Sequence, residues 1–420
     1  MKRAFLGLAI AACVLGLFFT SFSTYDFVQH LDRQVHGIHC SFIPGLDGTD
    51  VSGSSGCHVT LMSPYSSVLR DVVWGGVPVS LPGMAVFAFL LAYGLRLALR
   101  GPGRRDESGD AGFFALACAL PVITSVGMGY LSLVTLGAAC KLCIGTYAAS
   151  GLAFLGAVVH WRAPGGGGKW EDAAEEGSGD SGDSDDWRPP MDHSNRHHVS
   201  AFGAGVAFVG LAIVGYIAMA PDFSGYVGDC GELADGEDAY DVLIPVGPRG
   251  GIPAVEILDP LCPSCKGLEE RLAASDLGTK LDRRALMFPL DNACNWMVTS
   301  AVHPGACAVS EALLCAEEDQ VDAVMRWAFD NQGAIKTASE ADPDAAGRMA
   351  VEAFPGLKGC VGGAQVKARL NRSLRWAVAN ELPILTPQLY VDGAKVCDED
   401  TDLGLDFALS RMLASHGGTP

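Results

Sequence analysis

The chain has 420 residues, 49% of them hydrophobic, and a mean hydropathy of +0.25, which is too apolar for one soluble domain and too long for a single core. Charged residues make up 18%, below the usual share of about 25%, so part of the chain sits outside water. A net charge of −19 excludes the basic face that nucleic acid requires, and 14 cysteines, several in close pairs, point to an oxidising compartment or to thiol chemistry.

Five apolar runs, at about 4–20, 77–99, 112–137, 139–161 and 199–220, can each cross about 30 Å of hydrocarbon. Lys2 and Arg3 before the first run also fit a secretory signal. No small-residue cleavage site follows promptly, so the run is read as an anchor. Lys and Arg in short connections stay cytoplasmic, which puts Lys2 and Arg3, then Arg100, Arg104 and Arg105, then Arg162, Lys169, Arg188 and Arg196 inside. The outer loop 23–76 carries only Arg33 and Arg70, and five crossings bring the C-terminal 200 residues outside as well. These assignments predict a membrane unit over 1–162, a linker over 163–198, a fifth span at 199–220 and a soluble domain over 221–420. The linker, with GGGGKWEDAAEEGSGDSGDSDD, has too few apolar residues to fold and reads as an acidic, Gly-rich tether.

Beyond Asp238 the pattern is that of an α/β domain. Short strands are predicted at 242–246 and 254–258 around a turn at 247–251, and helices at 306–331 and 364–380. A strand at 388–391 runs into an Asp392-Gly393 turn, and a last helix covers 403–413.

Twelve of the cysteines fall outside or at the outer membrane face; Cys13 and Cys118 lie in spans as small core residues. Asp259-Pro-Leu-Cys262-Pro263-Ser-Cys265 follows a strand and opens a helix, where the dipole and unpaired N–H groups favour a thiolate. Cys262 is therefore expected to be an exposed nucleophile and Cys265 the resolving thiol. A zinc half-site is the rival, but no second pair or His pair at ligand spacing stands nearby. Cys140-Lys-Leu-Cys143 puts two sulfurs on one helix face at the outer surface, and Cys40 and Cys57 stand in the outer loop as a structural or an exchanging pair. Cys230, Cys294, Cys307, Cys315, Cys360 and Cys397 suggest three structural bridges, with Cys294 to Cys307 the favoured pair.

The segment 240–414, with its Cys-Pro-Ser-Cys and Leu385-Thr386-Pro387-Gln388, resembles the thioredoxin fold in its disulfide-oxidoreductase branch. That likeness implies a cis Pro387, with Thr386 and Pro387 lining a substrate groove. Ser55-Gly-Cys57, Ser63-Pro-Tyr65, Pro78-Val79-Ser80 and Cys140-Lys-Leu-Cys143-Ile-Gly-Thr-Tyr147 together are similar to the vitamin K epoxide reductase family, whose bacterial branch is often fused to a thioredoxin-like domain. The resemblance implies a four-helix membrane bundle, here with a fifth linking span, followed by a thioredoxin-like domain with a helical insertion. It implies a quinone, ubiquinone or menaquinone, in contact with Cys143, and Ser63, Ser80 and Tyr147 at the quinone site. Val79 stands where some members carry Asn.

Taken together these features predict a quinone-dependent enzyme of the bacterial inner membrane, with its N-terminus cytoplasmic and its thioredoxin-like domain periplasmic. Reduced secreted or periplasmic proteins would pass electrons to Cys262 and Cys265, then to Cys40 and Cys57, then to Cys140 and Cys143, and so to the membrane quinone pool. No metal and no nucleic acid is expected. The alternatives are electron flow outward, making a reductase or isomerase, and a tethered client-binding module without catalysis.

Overall fold

The computed structural model describes residues 2–34, 38–42, 55–100, 107–163 and 193–415. The acidic stretch expected to be a tether lies outside the described residues from 164 to 192, as do Arg104, Arg105, Lys169 and Arg188. The N-terminal half contains α1 (Lys2–Gln29), α2 (Gly56–Leu61), β1 (Ser67–Val68), β2 (Val77–Pro78), α3 (Ser80–Leu99), α4 (Glu107–Tyr130), α5 (Lys141–Arg162) and α6 (His193–Met219). Two compact units result: residues 1–27, 38–49 and 78–219 form one, and residues 28–37, 50–77 and 220–420 the other.

In the first unit, five helices among the described residues are long and apolar enough to cross a membrane. Their solvent-type faces carry Leu116, Ile123, Val126, Leu155 and Leu211, which suit lipid rather than water. Inside, Leu6, Cys13, Phe87, Leu90, Phe114, Cys118 and Ala153 pack together, so both span cysteines are core residues. Small residues set the spacing of the helices. A Cβ on Gly156 would lie 2.9 Å from the Phe5 carbonyl oxygen, so α5 passes α1 at backbone contact. The first helix continues to Gln29, beyond the expected loop start at 23, because no Gly or Pro interrupts Phe22 to Gln29. Its Thr20 and Thr24 hydroxyls donate back to the Gly16 and Thr20 carbonyls at 2.7 and 2.8 Å and so need no water. At the other end of the helices, buried Asp110 accepts from Tyr93 at 3.1 Å and Arg100 at 2.7 Å, and lies 3.3 Å from His198, tying α3, α4 and α6.

The second unit is built on a five-stranded mixed sheet. Its strands are β3 (Leu243–Pro245), β4 (Ile252–Leu258), β5 (Leu281–Met287), β6 (Gln388–Val391) and β7 (Ala394–Lys395), in the order β3-β5-β4-β6-β7. Strands β4 and β5 run parallel, with Ile257 opposite Leu286, and α7 (Pro263–Ala274) makes the crossover between them. The other neighbours pair antiparallel. Asp392 and Gly393, both at positive φ, turn β6 into β7 as expected. Between β5 and β6 come α8 (Ala306–Cys315), α9 (Val321–Ala341), α10 (Ala345–Ala353) and α11 (Ala364–Ala379), and α12 (Leu405–Ser415) closes the chain.

Two differences from expectation have clear causes. The predicted helix 306–331 is broken, because Glu317, Glu318 and Asp319 crowd like charges and Cys315 is bonded away to Cys360. Strand β5 has no alternation that predicts it, since Asp282, Arg283 and Arg284 interrupt its apolar residues; Arg283 is nevertheless buried, because two carboxylates receive it.

Three bridges staple this unit: Cys230–Cys397, Cys294–Cys307 and Cys315–Cys360. The last spans 45 residues of sequence and ties α8 to the segment before α11. Replacing both Cys315 and Cys360 by Ala is expected to cost the domain about 2–4 kcal/mol, read as a lower midpoint in calorimetry. An unchanged midpoint would show that the bridge adds no stability.

Candidate functional site

Strand β4 delivers the chain through Asp259-Pro260-Leu261 to Cys262, which caps α7 with extended backbone (φ −79°, ψ 123°) while Pro263 begins the helix. Both Cys262 and Cys265 are free thiols. Cys262 is not the exposed thiol expected from sequence: it is 5% accessible, because the turn at Thr386 lies over it. The Thr386–Pro387 peptide is cis. As a thiol, Cys262 donates to the Thr386 carbonyl at 3.5 Å. As a thiolate it has no proton to donate there. The Thr386 hydroxyl, buried with no other partner among the described residues, is then the donor within reach.

The two sulfurs have opposite characters. A hydrogen bond from the Cys265 thiol, then donors from Thr386 and the Cys265 amide, outweigh burial and bring the Cys262 pKa down to about 6. Full burial, and the proton it gives to Cys262, push Cys265 well above the ordinary thiol value. Gln332 on α9 donates to the carbonyls of Pro260 (3.2 Å) and Cys262 (3.0 Å), so the helical insertion fixes the approach to α7. Asp259, fully buried, accepts from Leu261 N at 2.8 Å, from Leu290 N at 2.7 Å and from His303 Nδ1 at 2.7 Å. Its negative charge opposes ionisation of both thiols. On β4, Glu256 is buried at the same depth, and Arg283 bridges it at 3.1 Å to Glu269 of α7. Burial, and then the Glu269 charge, raise the Glu256 carboxyl well above its usual range.

In the first unit, Cys140 caps α5 and receives the Cys143 amide on its sulfur at 3.2 Å. Both are free thiols, Cys140 buried and Cys143 half-buried. The Tyr147 hydroxyl meets the Cys143 sulfur, and Phe19 packs where a Cβ on Gly145 would sit, 2.7 Å from Cζ. Asp26, buried in the last turns of α1, faces Cys140 and bonds His39 Nδ1 at 2.7 Å, beside Cys40. The sequence motifs do not contain Asp26, His39, His303 or Gln332 as site residues, because their partners lie 13 to 72 positions away.

Cys40 and Cys57 are disulfide-bonded, and residues 43–54 between them lie outside the described residues. The Ser80 hydroxyl, at the start of α3, meets the Thr24 hydroxyl at 2.8 Å. Ser63 belongs to the second unit, where its hydroxyl donates to the Thr60 carbonyl at 2.8 Å. The expected quinone-site residues therefore divide: Ser80 and Tyr147 in the first unit, Ser63 in the second. Cys294 and Cys307 are bonded to each other and line a cavity of about 1070 Å³. Among the described residues no cluster of three His, Cys, Asp or Glu side chains could hold a metal ion.

Residues 8–158 match the Vitamin K epoxide reductase family. The match spans α1 to most of α5 and the loop that carries Cys40 and Cys57; the mixed-sheet region lies outside it. Comparison with curated proteins gives no match.

Because the Cys262 pKa is depressed, the reduced form gains stability as pH rises above about 6 and loses that gain below it. At pH 7 the gain is about 1.4 kcal/mol over an unperturbed thiol, or about 30 mV for a two-electron couple. Iodoacetamide alkylation of Cys262 is expected to follow a single ionisation with a midpoint of about 6. In His303→Ala, Asp259 loses a donor and its charge is less compensated, so that midpoint should move up; a lower or unmoved midpoint would contradict this role for the pair.

Proposed function

We propose that the chain is a membrane thiol-disulfide oxidoreductase that makes disulfides in secreted proteins and disposes of the electrons in a quinone. Supporting this are two Cys-x-x-Cys pairs, each opening a helix, one of them inside the stretch that matches the family and the other outside it. The C-terminal domain acts here as a thioredoxin-like module. What supports that is the strand–Cys-Pro-Ser-Cys–helix order, the parallel β4–β5 crossover and the cis-proline turn beside Cys262.

A client thiolate attacks Cys262 in its disulfide with Cys265, and Cys265 leaves. The client's second thiolate then attacks the client sulfur of the mixed disulfide. Cys262 leaves readily because it is the stabilised thiolate, and the client departs with a new disulfide. The Cys262 thiolate next attacks the loop disulfide, Cys265 resolves that adduct, and the loop pair keeps two electrons. Loop thiolates in turn reduce the Cys140–Cys143 disulfide. Asp26 and His39, hydrogen-bonded beside Cys40 and facing Cys140, are positioned to take up and return the protons of that exchange.

A flat, apolar acceptor fits the surroundings of Cys143, where a half-buried thiol meets a Tyr147 hydroxyl and the Phe19 ring of α1 packs against Gly145, two residues further along α5. Cys143, Tyr147 and Phe19 would hold it. A quinone, ubiquinone or menaquinone, supplies the terminal two-electron, two-proton acceptor when bound. The scarcity of Lys and Arg in the outer loop, against Lys2, Arg3, Arg100 and Arg162 at the other ends, supports a cytoplasmic N-terminus and a periplasmic C-terminal domain in a bacterial inner membrane.

The reading is tested with purified full-length protein, a reduced unfolded protein and a soluble quinone analogue, following thiol loss and quinone absorbance together. Both should proceed in the parent chain. Cys143→Ala should stop quinone reduction while leaving at most two equivalents of client oxidation per chain, one for the Cys262–Cys265 disulfide and one for the loop disulfide, and Cys262→Ser should stop client oxidation altogether. Quinone reduction that persists in Cys143→Ala would overturn the assignment.

A further inference from the structure

A second set of buried charges in the second unit involves neither thiol. Arg271 on α7 is 2% accessible, and its guanidinium donates to the carbonyl of Met62, just past α2 and Cys57. Burial lowers its pKa only to about 10, so it stays charged at neutral pH. Four more contacts join residues 28–37 and 50–77 to the C-terminal domain. Arg70 Nε meets Asp406 at 2.6 Å. Fully buried Asp400 accepts from Trp74 Nε1 at 2.9 Å and from Arg33 at 3.1 Å. Ser410 donates to the Asp71 carbonyl at 2.9 Å.

The fit is close. A Cβ on Gly404 would lie 2.5 Å from Trp74 Nε1, so the indole, 1% accessible, rests on bare backbone. The Trp74 ring also meets Phe223 edge-on at 5.0 Å, and the Arg33 guanidinium lies over the Phe223 ring at 5.1 Å. Buried arginines and aspartates are costly unless each finds its partner, so such a seam specifies one seating rather than general adhesion. Residues 28–37 and 50–77 accordingly cluster with 220–420 and not with the helices that precede and follow them in sequence.

We propose that this seam is a docking surface that keeps the Cys57-bearing loop seated on the C-terminal domain throughout turnover, so that thiol exchange between them occurs inside one body. The proposal rests on the relay above. In that exchange the Cys262 thiolate bonds to one loop sulfur and the other loop cysteine leaves as thiolate. Cys265 then bonds to Cys262, the second loop thiolate leaves, and two electrons have passed from the C-terminal pair to the loop. Without the seam, the step would be a search between linked parts of one chain at millimolar-type effective concentration.

The test uses full-length protein carrying Cys265→Ser, which cannot resolve a Cys262–loop adduct, with hydrogen exchange of residues 55–77 as the direct readout of docking. Arg70→Asp should speed exchange there about tenfold or more, and slow formation of the Cys262–loop adduct. Asp406→Arg added to it should restore both. Trp74→Phe, which keeps a ring and removes the N–H donor to Asp400, should loosen the segment less. The Cys262 alkylation profile, measured on the same seam variants with Cys265 retained and the protein reduced, should stay unchanged, which separates undocking from unfolding. Exchange over 55–77 that is unaltered by Arg70→Asp, or an adduct rate that does not follow it, would overturn the proposal. If the parent Cys265→Ser chain forms no adduct while protection still follows the charge reversal, the relay fails and the docking surface stands.

Discussion

A sulfur at the first turn of a helix faces amide groups that have no partner within the helix, and this chain uses that constraint twice. Cys262 caps α7 and Cys140 caps α5, each with a second cysteine three residues on that gives the first sulfur a hydrogen bond. In the C-terminal pair the result is an asymmetric dithiol: one sulfur poised as thiolate and leaving group, the other held as a protonated reserve by complete burial. Everything around it serves that difference. Thr386 supplies a donor, Gln332 holds the preceding carbonyls, and His303 compensates the charge of Asp259. In the relay proposed above, such modest energies suit a couple that both accepts and releases electrons.

Burial of Cys262 alters how such a thiol reacts. At 5% accessibility, and with the Thr386–Pro387 turn over it, the sulfur is closed to direct approach from open solvent. The helical insertion contributes through Gln332, and the Asp259–His303 pair ties the approach to α7 to the segment closed by Cys294–Cys307. Neither contact involves the thiols themselves. Both decide where the backbone that carries them stands.

Much of this was legible in the sequence because its signals are local. Apolar runs of span length, a Cys-Pro-Ser-Cys after a β-type run and a Thr-Pro before another depend on near neighbours, and the helices, strand ends and turn they predict are found close to their expected positions. What escaped depends on partners far along the chain. Strand β5 reads as polar because Arg283 is buried only by virtue of Glu256 and Glu269. The Asp26–His39 pair lies at the end of a span where nothing marks an acid as useful. The outer loop reads as part of the membrane half, yet Arg33, Arg70 and Trp74 anchor to aspartates more than 300 residues later. The break between α8 and α9 was visible only as a run of acids, a weak stop signal until Cys315 is known to be tied to Cys360.

The central claim is that electrons entering at the aqueous pair reach the pair at the membrane surface. The most direct measurement is a single turnover without quinone: fully oxidised full-length protein receives one equivalent of a reduced dithiol peptide, is quenched with acid and an alkylating agent at successive times, and is mapped by mass spectrometry. The account predicts label first on Cys262 and Cys265 and then, as that fades, on Cys140 and Cys143. Label that stays on Cys262 and Cys265 while Cys140 and Cys143 remain oxidised would contradict it.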